Sequence, residues 1–387
     1  MHSPSDLFLF LIVILTQWSL TRRLLAAARA RWSPAAARAA IWAAAAFNGL
    51  MIAAFALSFS FLMSRFAVPA RTAQILGAVA QIWFFASTAG YLAYRVFWFF
   101  PDRMAKRPFS PVRRQLLNAT GGALLASPFA MVGYGTLVER LDFGVREMDL
   151  PVPNLPPGLD GLRLVHVSDI HLSAFLSEKD LARVIDAANG LRGHLALVTG
   201  DLITSRGDPL DTCLRQVARL RADAGILGCM GNHEHYAGAE RHAEKEGARL
   251  GIRFLRSAAL PLRFGDSLLN VAGVDYQRFG QEYLNGAERL VLPGACNLLL
   301  SHNPDVFPVA VRKGYDLTLA GHTHGGQVTV EIFNQSLNAA RFATPFVYGP
   351  FRQQGGSAYV TRGIGTIGIP TRIGAPPEIA LLRLRKA

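Results

Sequence analysis

Five short clusters carry the side chains in this sequence that could bind metal: Ser168-Asp169-Ile170-His171, Gly200-Asp201, Gly231-Asn232-His233-Glu234, Ser301-His302-Asn303 and Gly321-His322-Thr323-His324. Asp169, His171, Asp201, Asn232, His302, His322 and His324 offer carboxylate, amide and imidazole donors and no thiolate. Such a set suits manganese, iron or zinc better than calcium or a structural zinc. Seven donors exceed what one ion takes while leaving room for water, and they suit two ions sharing a carboxylate. His322 and His324 are one residue apart among glycines, so both rings reach a common point only where the backbone turns sharply. Alone, each cluster reads equally as an Asx turn, a helix cap or a satisfied core histidine. His166 and His194, inside apolar runs, are read that way.

Elements must bring these clusters together across more than 150 residues. Each cluster follows an apolar run, at residues 162–167, 194–198, 226–230, 297–300 and 317–320. Nearly continuous apolar runs with β-branched residues read as strands buried on both faces, and in an open α/β sheet the carboxyl ends of strands share one crevice. Between them, a capping box at Ser177 to Asp180 opens a helix to about residue 188. Asp208 and Pro209 form an N-cap and first-turn pair for a helix through 221, and 239–250 is helical. A hairpin turns at Gly265-Asp266, and strands follow at 358–361 and 379–384. The proline-rich stretch 151–158 is an extended lead-in. The pattern is an α/β sandwich of mixed sheets covered by helices.

In this order, Asp-x-His, Gly-Asp, Gly-Asn-His-Glu, His and Gly-His-x-His resemble the motif set of the calcineurin-like metallophosphoesterases over roughly residues 145–387. The flanking Gly-Gly-Gln-Val and Tyr359-Val360-Thr361-Arg362-Gly363-Ile364-Gly365 are similar to the membrane-anchored bacterial subgroup. The resemblance implies an α/β/β/α sandwich and a metal-dependent phosphoric ester hydrolase working through a hydroxide shared by two metals. It implies one metal at Asp169, His171, Asp201 and His324, and another at Asp201, Asn232, His302 and His322, with Asp201 bridging. It assigns His233 as the catalytic histidine that protonates the leaving oxygen or stabilises phosphoryl charge. The bridging position is expected to be a carboxylate because two oxygens can offset two cations. One departure stands out: the family commonly continues Gly-Asp-x-x-Asp, whereas Gly200-Asp201-Leu202-Ile203-Thr204 ends in threonine. Support behind metal ligands is worth roughly 10–100-fold in affinity or activity, so Thr204 puts that support in question while leaving both metals in place.

The first 150 residues hold 15 Lys+Arg against 6 Asp+Glu, so most of the net charge of +13 lies there, among apolar runs. Apolar segments at 7–20, 41–63, 74–94 and 116–138 read as about four transmembrane helices, giving a membrane region at 1–138 and a catalytic domain at 139–387. Arg22, Arg23, Arg29, Arg31 and Arg38 lie between the first two segments, and Arg95, Arg103, Lys106, Arg107, Arg113 and Arg114 between the last two. The intervening loop has Arg65 and Arg71 alone. The positive-inside rule then places the catalytic domain on the extracytoplasmic, periplasmic side of the inner membrane. Arg113-Arg114 before a mildly apolar run also resembles an internal twin-arginine export signal. Cys213, Cys229 and Cys296 match no zinc spacing and read as buried thiols.

The expected function is hydrolysis of phosphate mono- or diesters or pyrophosphates, on a substrate that could be lipid- or envelope-linked. A pyrophosphatase for a lipid-linked nucleotide sugar, like the UDP-2,3-diacylglucosamine hydrolases of lipid A synthesis, is the alternative. Its substrate is cytoplasmic, which the inferred orientation opposes. A non-catalytic, metal-bearing membrane scaffold is the reading from another class. Nucleic acid fits poorly, because the catalytic part has no run of basic residues interleaved with aromatics. Specificity is expected from loops at 276–285 and 342–354.

Overall fold

A computed structural model describes residues 4–56, 68–104, 110–278, 280–332 and 335–387. Residues 57–63 of the second apolar segment, and Arg65, Lys106, Arg107 and Phe279, lie outside the described residues. The chain divides into two compact units, Met1–Tyr134 and Gly135–Ala387.

The N-terminal unit is helical: α1 (Pro4–Arg31), α2 (Pro34–Ala56), α3 (Ala70–Met104) and α4 (Pro111–Leu137), the last running across the division. Among the described residues three stretches, Pro34–Phe55, Arg71–Phe99 and Pro111–Leu141, are long and apolar enough to cross a membrane. α1, expected as a fourth span, is helical but not among them. Its Thr16, Gln17 and Ser19 hydrogen-bond to Thr88, Ser87 and Tyr91 of α3, so one face of α1 is polar and paired within the unit. Met51 and Ala54 of α2 pack on Ala80 and Phe84 of α3.

The C-terminal unit is a sandwich of two six-stranded sheets. One has the order β1 (Gly144–Val152), β14 (Glu378–Lys386), β2 (Arg163–Val167), β3 (Leu195–Thr199), β4 (Ile226–Cys229) and β5 (Ile252–Phe254). The other runs β12 (Gly349–Gln353), β13 (Gly356–Val360), β9 (Leu317–Ala320), β8 (Cys296–Leu300), β7 (Ser267–Gly273) and β6 (Ala258–Phe264). Both are mixed: β2, β3, β4 and β5 run parallel, as do β7, β8, β9 and β13, while β14 is antiparallel to β2 and β6 to β7. A separate two-stranded hairpin joins β10 (Thr329–Ile332) to β11 (Gln335–Asn338).

The continuous apolar runs have their cause here. Leu195 and Leu197 of β3 face the other sheet, where they meet Leu298, Leu300, Leu317 and Leu319. Ala196 and Val198, pointing the opposite way, join the core under α5 (Glu178–Gly190), α6 (Leu210–Val217) and α8 (Glu240–Arg249). Leu299 of β8 likewise turns outward to Val306 and to Ala310 of α9 (Phe307–Arg312). With both faces covered, no position in these strands can be polar without a partner.

Two sequence expectations are corrected. The Ser177 capping box is present, but Asp208 does not cap α6. Its carboxylate turns back to accept the Thr204 and Ser205 amides, and the helix stops at Val217 rather than 221. The lead-in at 151–158 begins as strand, since Pro151 and Val152 close β1 beside β14, where a proline is tolerated at a strand end on the sheet edge.

Candidate metal centre

Each cluster sits where a strand ends. Ser168 to His171 follows β2, Asp201 follows β3, Ser301-His302 follows β8 and His322 to His324 follows β9. Asn232 and His233 instead open a short helix, α7 (Asn232–Ala237), directly after β4. The chain turns sharply at these ends: Asp169, His171, Asp201, His322 and His324 all have positive φ, between 49° and 75°. Among the described residues only ten non-glycine positions do so, so half of this sterically costly backbone lies in the candidate donors. At roughly 1–3 kcal/mol each, such strain persists only where surrounding contacts impose it.

Close packing supplies that constraint. A Cβ on Gly321 would meet Asp169 Oδ2 at 2.2 Å, and one on Gly231 would meet Asp201 Oδ1 at 2.1 Å. The glycines that open Gly-His-x-His and Gly-Asn-His-Glu are therefore the space the two aspartates occupy. Glu234 clamps the same loops. Its fully buried carboxylate accepts the N–H groups of Asp201 and Gly231 on Oε2 and of Leu202 and Ile203 on Oε1. Burial, with the nearby Asp201 charge, raises its pKa against the pull of those N–H groups.

All eight residues gather in one place, in two interlaced sets. Asp169, His171 and His324 form one group of converging donors, and Asp201, His302 and His322 another. His171 Nε2 stands 3.2 Å from His324 Nε2 and 3.5 Å from Asp201 Oδ2, and His324 Nε2 is 3.4 Å from Asp169 Oδ1. On the other side His302 Nε2 is 3.0 Å from Asp201 Oδ2 and 3.2 Å from His322 Nδ1. Donors bound to one ion at about 2.1 Å stand roughly 3.0–3.4 Å apart, which is the spacing seen in both sets. The amide oxygen of Asn232 is buried and has no hydrogen-bond partner. An orphaned buried acceptor is costly, and a cation is a group that would satisfy it. The residues present therefore fit a pair of metal ions.

Asp201 lies between the sets. Its Oδ1 accepts the backbone N–H of His233, while Oδ2 faces both His171 and His302.

The imidazoles are oriented from behind. His302 Nδ1–H donates to the Thr199 carbonyl at 2.6 Å, and His233 Nδ1–H to the Thr204 carbonyl at 2.5 Å. His171 Nδ1 lies 3.2 Å from the Thr204 hydroxyl. Each contact leaves Nε2 pointing inward, the arrangement that fixes the tautomer of a ligating histidine. Burial lowers the pKa of His171 and His324 well below the usual range and, with the neighbouring His302, brings His322 to about 4. For His302 burial acts the same way, but the charge and hydrogen bond of Asp201, with the Asp169 charge, outweigh it and push the value up to about 10. His166, the core histidine set aside above, bonds the Thr199 hydroxyl, and burial holds it at about 3. His194 accepts the Arg163 amide.

Three further residues border this centre. Arg372 is fully buried, and its guanidinium donates to the carbonyls of Gly365, His324, Ala375 and Arg362 while lying 3.3 Å from His324 Nδ1. No spacing in the sequence marks it, because its partners are mostly backbone. Tyr276, in one of the loops expected to set specificity, places its ring 6.0 Å from that of His322 and 6.4 Å from that of His302. Tyr236 completes this wall, 6.2 Å from Tyr276 and 6.1 Å from His233.

Two stacked mixed sheets carry, at their strand ends, a two-position donor set that could hold two metal ions. The family model for calcineurin-like phosphoesterases matches residues 162–326. Residues 162–326 thus match a calcineurin-like phosphoesterase domain, a domain of the metal-dependent phosphoric ester hydrolases. It is 28% identical over 283 residues to the uncharacterized metallophosphoesterase YkuE of Bacillus subtilis, covering 70% of this chain and 97% of that one. It is 30% identical over 274 residues to a transmembrane protein with metallophosphoesterase domain of Danio rerio, covering 66% of this chain and 60% of that one. A third relative, metallophosphoesterase Cj0846 of Campylobacter jejuni, is 29% identical over 244 residues, with 62% of this chain and 63% of that one covered. The match thus spans nearly all of the Bacillus protein but less than two thirds of the other two.

Proposed function

We propose a membrane-anchored phosphoesterase that holds one cation between Asp169, His171, Asp201 and His324 and a second between Asp201, Asn232, His302 and His322. The observation that carries this reading is the pair of donor sets at ligand spacing with Asp201 Oδ2 common to both. So held, manganese, iron or zinc ions supply Lewis-acid polarisation of a phosphoryl oxygen and an activated water. The protein's own part is positional. Thr199 and Thr204 fix three imidazoles by their outer nitrogens, and Glu234 and Arg372 lock the loops that present the donors. His233 Nε2 lies 4.0 Å from Asp201 Oδ2 with its ring 15% exposed, so it borders the centre without being enclosed by it. With Nδ1 committed to a carbonyl, Nε2 is the atom free to hold a proton for the leaving oxygen. Substrates are phosphate mono- or diesters or pyrophosphates, entering past Tyr236 and Tyr276. The arginine-rich loops on either side of the central apolar segments support a catalytic domain on the extracytoplasmic side of the inner membrane.

The test is turnover. Full-length protein loaded with Mn²⁺ is expected to hydrolyse an aryl phosphodiester, and Asp201→Asn to abolish this by removing the charge common to both positions. Absence of turnover with any of the three metals, on monoester, diester and pyrophosphate alike, would favour the non-catalytic scaffold.

A further inference from the structure

The hairpin that leaves the metal centre is built with its polar face inward. Among the described residues β10 and β11 pair only with each other, beginning five residues after His324. Thr329 and Asn338 oppose one another in the ladder and face the domain. Thr329 is buried, with its hydroxyl donating to the Gly325 carbonyl and its amide to that of Ile373. Asn338 fills the space a Cβ on Gly326 would need. The next cross-strand pair, Val330 and Leu337, points the other way because side chains alternate along a strand. These two are 39% and 52% exposed, Val328 is 40% exposed, and Phe342, closing the turn after β11, is 96% exposed. Arg341 beside it is exposed too. A half-buried hairpin ordinarily turns its apolar face to the core; here the apolar pair Val330 and Leu337 is turned to the surroundings.

We propose that this face docks on an anionic lipid bilayer, with Val330, Leu337 and Phe342 entering the headgroup–acyl boundary and Arg341 meeting lipid phosphate. Three features favour lipid over another protein. On the membrane-anchored reading the chain brings its own bilayer, since three stretches among the described residues are of spanning length. Only six residues, Val138 to Phe143, separate α4 from β1, so the catalytic domain follows the last spanning-length helix closely in sequence. The exposed residues include an aromatic side chain, Phe342, with the cation next to it in sequence, Arg341, a composition that favours an anionic membrane interface. Docking stands or falls independently of catalysis. Its consequence, that the centre takes phosphate esters carried by that bilayer, rests on the phosphoesterase reading.

The test uses full-length protein in nanodiscs of phosphatidylglycerol and phosphatidylcholine. Cys213, Cys229 and Cys296 are at most 2% exposed, so Phe342→Cys takes a thiol-reactive environment-sensitive dye alone. The dye is expected to emit to the blue and to lose roughly half its intensity to spin-labelled lipid, as a group at the acyl boundary would. A dye at Asp186→Cys, on the far-exposed side of α5, should show neither change. Leu337→Cys, checked like the first variant for an unchanged unfolding midpoint, should repeat the result. Adding Arg341→Glu should weaken quenching in the anionic discs. A dye at both positions that stays water-exposed overturns the proposal. So does one shielded without lipid quenching, because that outcome assigns the face to a second copy or a protein partner.

Discussion

Thr204 occupies the position where the motif the sequence resembles commonly continues with an aspartate, and the structure gives the residue two contacts with the site. Its hydroxyl meets His171 Nδ1 and its carbonyl takes the His233 Nδ1 proton. The second contact belongs to the backbone and survives any side chain, which is why a threonine suffices there to orient His233. The first is specific to the hydroxyl. Thr204→Val is therefore expected to weaken metal binding at the Asp169–His171–His324 position by roughly tenfold while leaving turnover at saturating metal within about threefold, since a lost outer contact acts on affinity first. Metal titration followed by activity at high metal separates the two. The seven donors and His233 were legible in the sequence as motifs, because strand ends and glycines mark where a chain can turn. Arg372 was not, since backbone carbonyls scattered over residues 324–375 leave no pattern of residue types.

At the scale of elements, α7 and the loop after β3 are held as one piece by Glu234. Each of its oxygens accepts two amides. In Glu234→Gln, whichever way the side-chain amide is turned, its NH₂ group faces two N–H donors, and the loss should be roughly 2–5 kcal/mol of stability. Chemical denaturation of the parent and variant measures it, and a change under 1 kcal/mol would show that the clamp is not a structural requirement. The strands of this framework were readable from their length and continuous apolarity. The end of α6 was misread because Asp208 has the residue type of a helix cap yet spends its carboxylate on the preceding turn. The hairpin β10–β11 went unread because its exposed valines and leucine give no core-facing alternation to detect.

For the whole molecule, the arginine distribution predicts a side of the membrane. A C-terminal alkaline phosphatase fusion is expected to be active in cells and a C-terminal cytoplasmic reporter silent; the reverse pattern would move the catalytic domain to the cytoplasm and revive the nucleotide-sugar substrate. Composition separates an apolar, basic N-terminal part from a remainder of nearly balanced charge, but it could not show that α1 turns a polar face to α3.

The place of β14 has a consequence for how this protein is made. The strand that comes last in sequence order lies between β1 and β2, the first two, and Arg372, just ahead of it, braces His324. During synthesis the sheet therefore keeps an open slot until residues past 380 have left the ribosome, and the donor loops lack their brace for nearly as long. Unpaired strand edges of this kind are exposed to mispairing while the chain is incomplete. The proposed centre is thereby braced only once Arg372 and β14 are in place, and a product terminated before them carries every proposed ligand without that brace.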